Sequence, residues 1–210
     1  VIRRVPAGFA RTWEWSEIEL ASSEVRLADP DTVGNKYTIA RMSVTEADPP
    51  LRFHDLRGEV RVRGDSVWLD LPHFALPGST GEAVGKIVGG SALPIRYDIR
   101  VRGDSVALAD FWWVHETLPR SGGGAMKLHI ANDPADLHVL NYALSEMDVR
   151  TTGSRLRGAM TYGVGGPVLQ VTDLDLRAEP VDMDLLRVLA GGPFPFDWQG
   201  TITGMVRGRG

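Results

Sequence analysis

The residues best suited to chemistry come in short blocks, and each block has a plainer structural reading beside it. Gly64-Asp65-Ser66 and Gly103-Asp104-Ser105 repeat the Gly-Asp-Ser block of a lipase family. That chemistry needs the serine on a strand-to-helix turn, activated by a distant Asp and His. Here each serine leads into another run of strand type. With the preceding residue the blocks become Arg63-Gly64-Asp65 and Arg102-Gly103-Asp104, the integrin-binding tripeptide. Gly-Asp and Asp-Ser are also what a tight hairpin turn requires, and both copies lie where a turn is expected. Pro77-Gly78-Ser79-Thr80-Gly81 lacks the first glycine of a nucleophile elbow, and Gly122-Gly123-Gly124 lacks the Gly-Lys-Ser/Thr ending of a phosphate loop. None of His54, His73, His115, His129 and His138 is spaced from another as a zinc ligand pair would be, and His115-Glu116 lacks the second histidine of a zinc helix. Asp173/Asp175 and Asp182/Asp184 are acidic pairs that a strand would place on one face. A calcium rim is the functional reading of such pairs and a solvated face the plain one. The expectation is a non-enzymatic chain with no catalytic residue, no metal and no cofactor.

The elements that would carry these residues are strands. Val60 and Val62 alternate with Glu59, Arg61 and Arg63, and Val67, Leu69 and Leu71 alternate with Trp68 and Asp70. Ile95, Tyr97, Ile99 and Val101 alternate with Arg96, Asp98, Arg100 and Arg102, and Ile18 and Leu20 sit between Glu17, Glu19 and Ala21. Period-two alternation with one apolar and one charged face predicts antiparallel sheet wet on one side. The 24 glycines and 13 prolines supply turns for many short strands.

The heptapeptide Arg61-Val62-Arg63-Gly64-Asp65-Ser66-Val67 recurs as Arg100 to Val106. Each copy leads through a further strand to Leu-Pro, Ser and Gly: Leu76-Pro77-Gly78-Ser79-Thr80-Gly81 and Leu118-Pro119-Arg120-Ser121-Gly122. Two short helices are predicted. One opens at Asp133-Pro134-Ala135-Asp136 with Leu137, Leu140 and Leu144 on one face. The other runs from Pro180 to Ala190 with Met183, Leu186 and Leu189 in phase and Gly191 as its cap. Asp48-Pro49-Pro50 is the best candidate for a joint. The organisation expected is one elongated repeat segment over residues 1–210. Its repeats would cover about 51–90 and 91–130, and helix-hairpin units would cover 131–178 and 179–210.

Bulk properties bound the function. Hydrophobic residues make up 43% and charged residues 24% of the 210, an ordinary globular balance. The net charge of −4 and the interspersed signs give no electrostatic case for nucleic acid. With no cysteine, disulfides, thiolate metal sites and a Cys nucleophile are excluded. No apolar run approaches the roughly 18 to 20 residues of a membrane span. Both ends read as cut, so the chain is expected to be a piece of a longer protein. Aromatics cluster at Trp13/Trp15, Phe111-Trp112-Trp113 and Phe194/Phe196/Trp198. Of the adjacent pair Trp112 and Trp113, a strand would have to turn one away from the core, which hints at a binding surface.

Asp55-Leu56-Arg57-Gly58-Glu59-Val60, Leu76-Pro77-Gly78-Ser79, Asp184-Leu185-Leu186 and Gly200-Thr201-Ile202-Thr203-Gly204, with the stretch Ile18 to Pro30, carry a further signal. This order of alternating strands, Gly-Asp turn, Leu-Pro-x-Ser, helix and glycine-led strand resembles the AsmA-like superfamily, and especially its TamB branch. The resemblance implies a mostly β fold, an elongated antiparallel β-groove or half-pipe with one or two short helices. It implies a setting in the periplasm of a diderm bacterial envelope, with the parent anchored in the inner membrane. It also implies phospholipid as the cargo conducted toward the outer membrane, and, for some members, an outer-membrane barrel protein as an assembly partner. Membrane contact would fall to parts of the parent outside this segment. The lining residues expected are Val60, Val62, Val67, Leu69, Leu71, Ile95, Tyr97, Ile99, Val101, Val106 and Leu108. Two other readings stand beside it: an assembly scaffold that pairs an edge strand with a client β-protein, and a closed β-sandwich or adhesin-like module.

Overall fold

The computed structural model describes residues 2–4, 11–22, 34–47, 50–89, 94–112, 119–165, 170–185 and 199–209. The chain is mostly β and antiparallel, and it divides into two compact units, Val1–Val101 and Arg102–Gly210. Of the candidate joint at Asp48-Pro49-Pro50, Asp48 and Pro49 lie outside the described residues; the flanking Ala47 and Pro50 pair with each other.

The first unit is one open sheet whose strands follow chain order. They are β1 (Ile2–Arg4), β2 (Arg11–Ala21), β3 (Asn35–Ala47), β4 (Pro50–Arg63), β5 (Ser66–Ala75), β6 (Thr80–Val88) and the first half of β7 (Arg96–Ala107). The β4–β5 link is a two-residue turn at Gly64-Asp65, closed by the Arg63–Ser66 pair. Gly64 has φ 52°, the left-handed region that glycine enters without penalty. The β5–β6 link is Leu76-Pro77-Gly78-Ser79, closed by a hydrogen bond from Leu76 N to Ser79 O at 2.8 Å. Leu76 and Ser79 are both buried there, so the Leu-Pro-x-Ser motif is a packed hairpin loop.

The second copy of the heptapeptide departs from expectation. Gly103-Asp104 is not a turn: β7 runs straight through it to Ala107. Arg96, Asp98 and Arg100 are exposed and Tyr97, Ile99 and Val101 half-buried. The alternation then slips, so that Gly103 and Val106 are the next two buried positions. A Cβ on Gly103 would meet Val106 Cγ2 at 2.4 Å, so the two residues face the same side, as across a bulge. The arms explain the difference. After Gly64-Asp65 the outward positions are Trp68 and Asp70, whereas after Gly103-Asp104 they are Ala107 and Ala109. Nothing there marks a wet face for a returning strand. The chain instead enters a 3₁₀ turn at Leu108–Phe111.

The second unit contains the rest of β7, then β8 (Gly123–Asn132), β9 (Leu140–Thr151), β10 (Ser154–Val164), β11 (Gln170–Asp182) and β12 (Thr201–Arg209), again antiparallel and in chain order. Here a second expectation fails. Asp133 does cap its loop, its Oδ1 accepting from Ala135 N at 2.8 Å and Asp136 N at 3.2 Å. No helix follows. Asp133 N donates to Val139 O at 2.8 Å, which closes the loop, and Leu140 opens β9. The spacing Leu137, Leu140, Leu144 fits a helix, but Leu140-Asn141-Tyr142-Ala143-Leu144 fits a strand equally well. Pairing with both β8 and β10 decides between them. The helix expected from Pro180 begins later: Pro180 to Asp182 end β11 and, among the described residues, only residues 183–185 are helical. Its remainder, Leu186 to Ala190 with Gly191, lies outside the described residues, as do Phe194, Phe196 and Trp198.

Bulges recur in mid-strand. β4 shifts register between His54 and Glu59, where Asp55 has φ 53°. β9 and β10 shift around Glu146, φ 50°, and Gly158, φ 130°. A Cβ on Gly158 would lie 2.0 Å from the Asp175 carbonyl oxygen. The β11 backbone fills the place of a side chain, so only glycine fits. The core of the second unit clusters here: Met147, Leu156, Met160, Leu176, Ala178 and the fully buried Val181.

Candidate functional site: the half-exposed apolar sheet face

Cross-strand register assembles the expected lining of the first unit. Residues opposite one another on neighbouring strands share a face. Tyr37 pairs with Val60, Val60 with Leu69 and Leu69 with Gly85. The next file runs Asn35, Val62, Val67 and Ile87, and Leu71 pairs with Ala83. The structure therefore brings Val60, Val62, Val67, Leu69 and Leu71 onto one face and adds Tyr37 and Ile87. The β7 backbone comes close to β6 here: a Cβ on Gly85 would meet Ile99 Cα at 2.7 Å. Tyr97, Ile99 and Val101 are the half-buried file of β7.

The face is apolar but not dry. All these residues are only half-buried. Among the described residues of the unit, the fully buried apolar side chains lie at the bulged end of the strands: Ile39, Met42, Val44, Leu56, Phe74 and Leu76. There Phe53 and Phe74 pack edge to face with centroids 6.0 Å apart. Among the described residues the unit is a single sheet. The opposite face is charged: Lys36 pairs with Glu59, and Lys86 Nζ sits 4.8 Å from the Trp68 ring centre, a cation–π contact.

Three expected residues stand apart. Ile95 lies just before β7 and is 36% exposed. Val106 is a buried residue of the second unit, and Leu108 belongs to the 3₁₀ turn.

The second unit has an apolar face that the sequence reading missed. Leu128, Leu144, Met160 and Leu174 form one file across β8 to β11, and Ile130, Tyr142, Tyr162 and Val171 form the next. Tyr142 and Tyr162 stack with ring centroids 5.3 Å apart and planes 9° from parallel. Burial pushes the Tyr162 phenol up to about 12. The signal was the alternation Leu128-His129-Ile130 and Leu140 to Leu144, which the helical reading of the latter concealed.

Neither Gly-Asp-Ser block sits on a strand-to-helix turn. Ser66 opens a strand and pairs with both Arg63 and Val88, a strand-turn-strand context rather than an elbow. Ser105 is inside β7. Asp173 and Asp175 do share a face, and each is engaged by an arginine of β12: Arg209 Nε to Asp173 at 3.0 Å and Arg207 Nε to Asp175 at 3.3 Å. Among the described residues no group of three or more His, Cys, Asp or Glu could hold a metal ion. No helix among them is long and apolar enough to cross a membrane. Compared with protein families, with curated proteins and with solved structures, the chain has no match.

Proposed function

We propose that the apolar sheet face is a passive lining that shields phospholipid acyl chains, and that the chain is a segment of a lipid-conducting β-groove in the periplasm of a diderm bacterial envelope. The observation that carries this reading is the pair of files Tyr37–Val60–Leu69 and Val62–Val67–Ile87. They are continuous, apolar and half-exposed, in a unit whose strands pair in chain order as one open sheet. A closed sandwich would bury both inner faces.

The energetics suit such a role. Exposing an acyl chain to water costs about 0.8 kcal/mol per methylene, or about 12 kcal/mol for sixteen carbons. A half-exposed apolar strip offsets that cost without any acid, base or nucleophile. The resemblance of the sequence to AsmA-like proteins points the same way. Site-specific photocrosslinking tests the reading. A photoreactive residue at Leu69 or Val62 is expected to capture phospholipid, and one at Trp68 or Lys86 is not. Equal capture on both faces, or none on the apolar one, contradicts it.

A second reading rests on β12. Among the described residues it pairs only with β11, and Met205 and Val206 are exposed on it. Its free edge suits strand addition by a client β-protein such as an outer-membrane barrel. A proline at Val206 is expected to abolish client binding in this reading and to leave lipid capture unchanged.

A further inference from the structure

The outer face of the second unit carries a lattice of charge that the lipid reading does not use. Across β9, β10 and β11 the register sets Arg150 opposite Arg155 and Asp148 opposite Arg157. It also sets Arg157 opposite Arg177. Glu179, next after Ala178, completes the six positions beside Arg155, whose guanidinium lies 3.5 Å from it. Four guanidiniums thus share two carboxylates. Two arginine pairs face each other directly, an arrangement that costs stability unless something neutralises it.

The carboxylates are already committed. Asp148 accepts both hydrogen bonds of the Arg155 fork, at 2.9 and 2.7 Å, and Glu179 is held by Arg177 at 2.7 Å. Arg150 and Arg157 each lie 3.6 Å from Asp148, beyond a hydrogen bond, and neither makes a side-chain hydrogen bond among the described residues. Their side chains are 64% and 48% exposed. The patch therefore has an excess of two positive charges and two guanidiniums with free donors, in a chain of net charge −4.

We propose that Arg150 and Arg157, with Arg177 beside them, form a docking site for a phosphoryl group. A guanidinium fork matches two oxygens of a phosphate. Neighbouring strands about 4.8 Å apart let more than one fork reach a single tetrahedral group, and a dianion cancels the excess charge. The phosphoryl group can belong to a soluble phosphate or to the headgroup of an anionic phospholipid. The site lies on the face opposite Met147, Leu156 and Leu176 and stands or falls independently of the apolar lining.

The test follows the arginine Nε–H resonances while inorganic phosphate is added, with chloride at matched ionic strength as the control. Saturable shifts of Arg150 and Arg157 at millimolar phosphate are expected, absent with chloride and weakened at least tenfold by Arg150→Gln/Arg157→Gln. Co-sedimentation with phosphatidylglycerol vesicles separates the two sources. Binding that the double variant loses identifies the headgroup, and phosphate shifts without vesicle binding identify a soluble phosphate. Absence of saturable shifts, or a double variant that binds phosphate like the parent, overturns the proposal. So does poly-glutamate binding more tightly than phosphate, which would assign the patch to an acidic protein. Circular dichroism checks the fold, and Arg150→Gln alone carries the same test if the double variant unfolds.

Discussion

Arg155 reaches across the β9–β10 pair to hold Asp148 by two hydrogen bonds, Nε to Oδ1 at 2.9 Å and Nη2 to Oδ2 at 2.7 Å. Those bonds are the largest cause of a carboxyl pKa lowered from 3.8 to about 2. The charges of Arg155, Arg150 and Arg157 add to them and burial opposes. A carboxyl with a depressed folded-state pKa contributes stability that is complete above its unfolded pKa and is lost as pH falls through the folded one. The contribution is therefore present at neutral pH and disappears between pH 3.8 and about 2. Urea denaturation at stepped pH checks this. Asp148→Asn is expected to lose less stability than the parent across that window, and parallel curves contradict the assignment.

Tyr162 gives the opposite sign at the alkaline end. Its phenol is raised from 10.0 to about 12 by burial, with the neighbouring Tyr142 adding. Its stabilising contribution is complete below the unfolded value and is lost as pH rises between 10.0 and about 12. Absorbance titration of the tyrosines is expected to show one late component that Tyr162→Phe removes. A Phe variant with an unchanged titration curve would contradict the burial of this ring pair.

Two glycines separate close approach from conformational freedom. Gly158 has φ 130° and the Asp175 carbonyl oxygen 2.0 Å from the place of a Cβ, whereas Gly153, φ 82°, has nothing within 4 Å. Gly153→Ala is expected to cost about 1 kcal/mol from backbone strain alone. Gly158→Ala adds the clash and is expected to cost about 3 kcal/mol or more. Thermal or urea denaturation of the two variants compares them, and equal losses would mean that β10 and β11 are not so close.

What the sequence revealed, and what it hid, follows from how local each signal is. Val60, Val62, Val67, Leu69 and Leu71 were legible as one face because charged residues alternate with them on both arms of a two-residue turn. The identical Arg-Val-Arg-Gly-Asp-Ser-Val block around Gly103 was misread because its second arm has alanines where the first has Trp68 and Asp70. The strand at Leu140 to Leu144 was hidden by a leucine spacing that two periods fit. The left-handed Asp55 and Glu146, and the bulges they create, leave no mark that a reader of residue types could find. The arginine lattice was invisible for another reason: Asp148, Arg157 and Arg177 become neighbours only once the register of three strands is known.

Native mass spectrometry of the segment, purified gently from a bacterial envelope, shows whether the half-exposed apolar face covers lipid. Val62 lies on that face and Ile99 in the half-buried file of β7, so Val62→Asp/Ile99→Asp places charges at two of the expected lining positions. Phospholipid is expected on the parent segment, displaced by detergent and absent from the double variant, with both proteins folded. A folded parent of lipid-free mass, or a double variant that carries as much phospholipid as the parent, contradicts it.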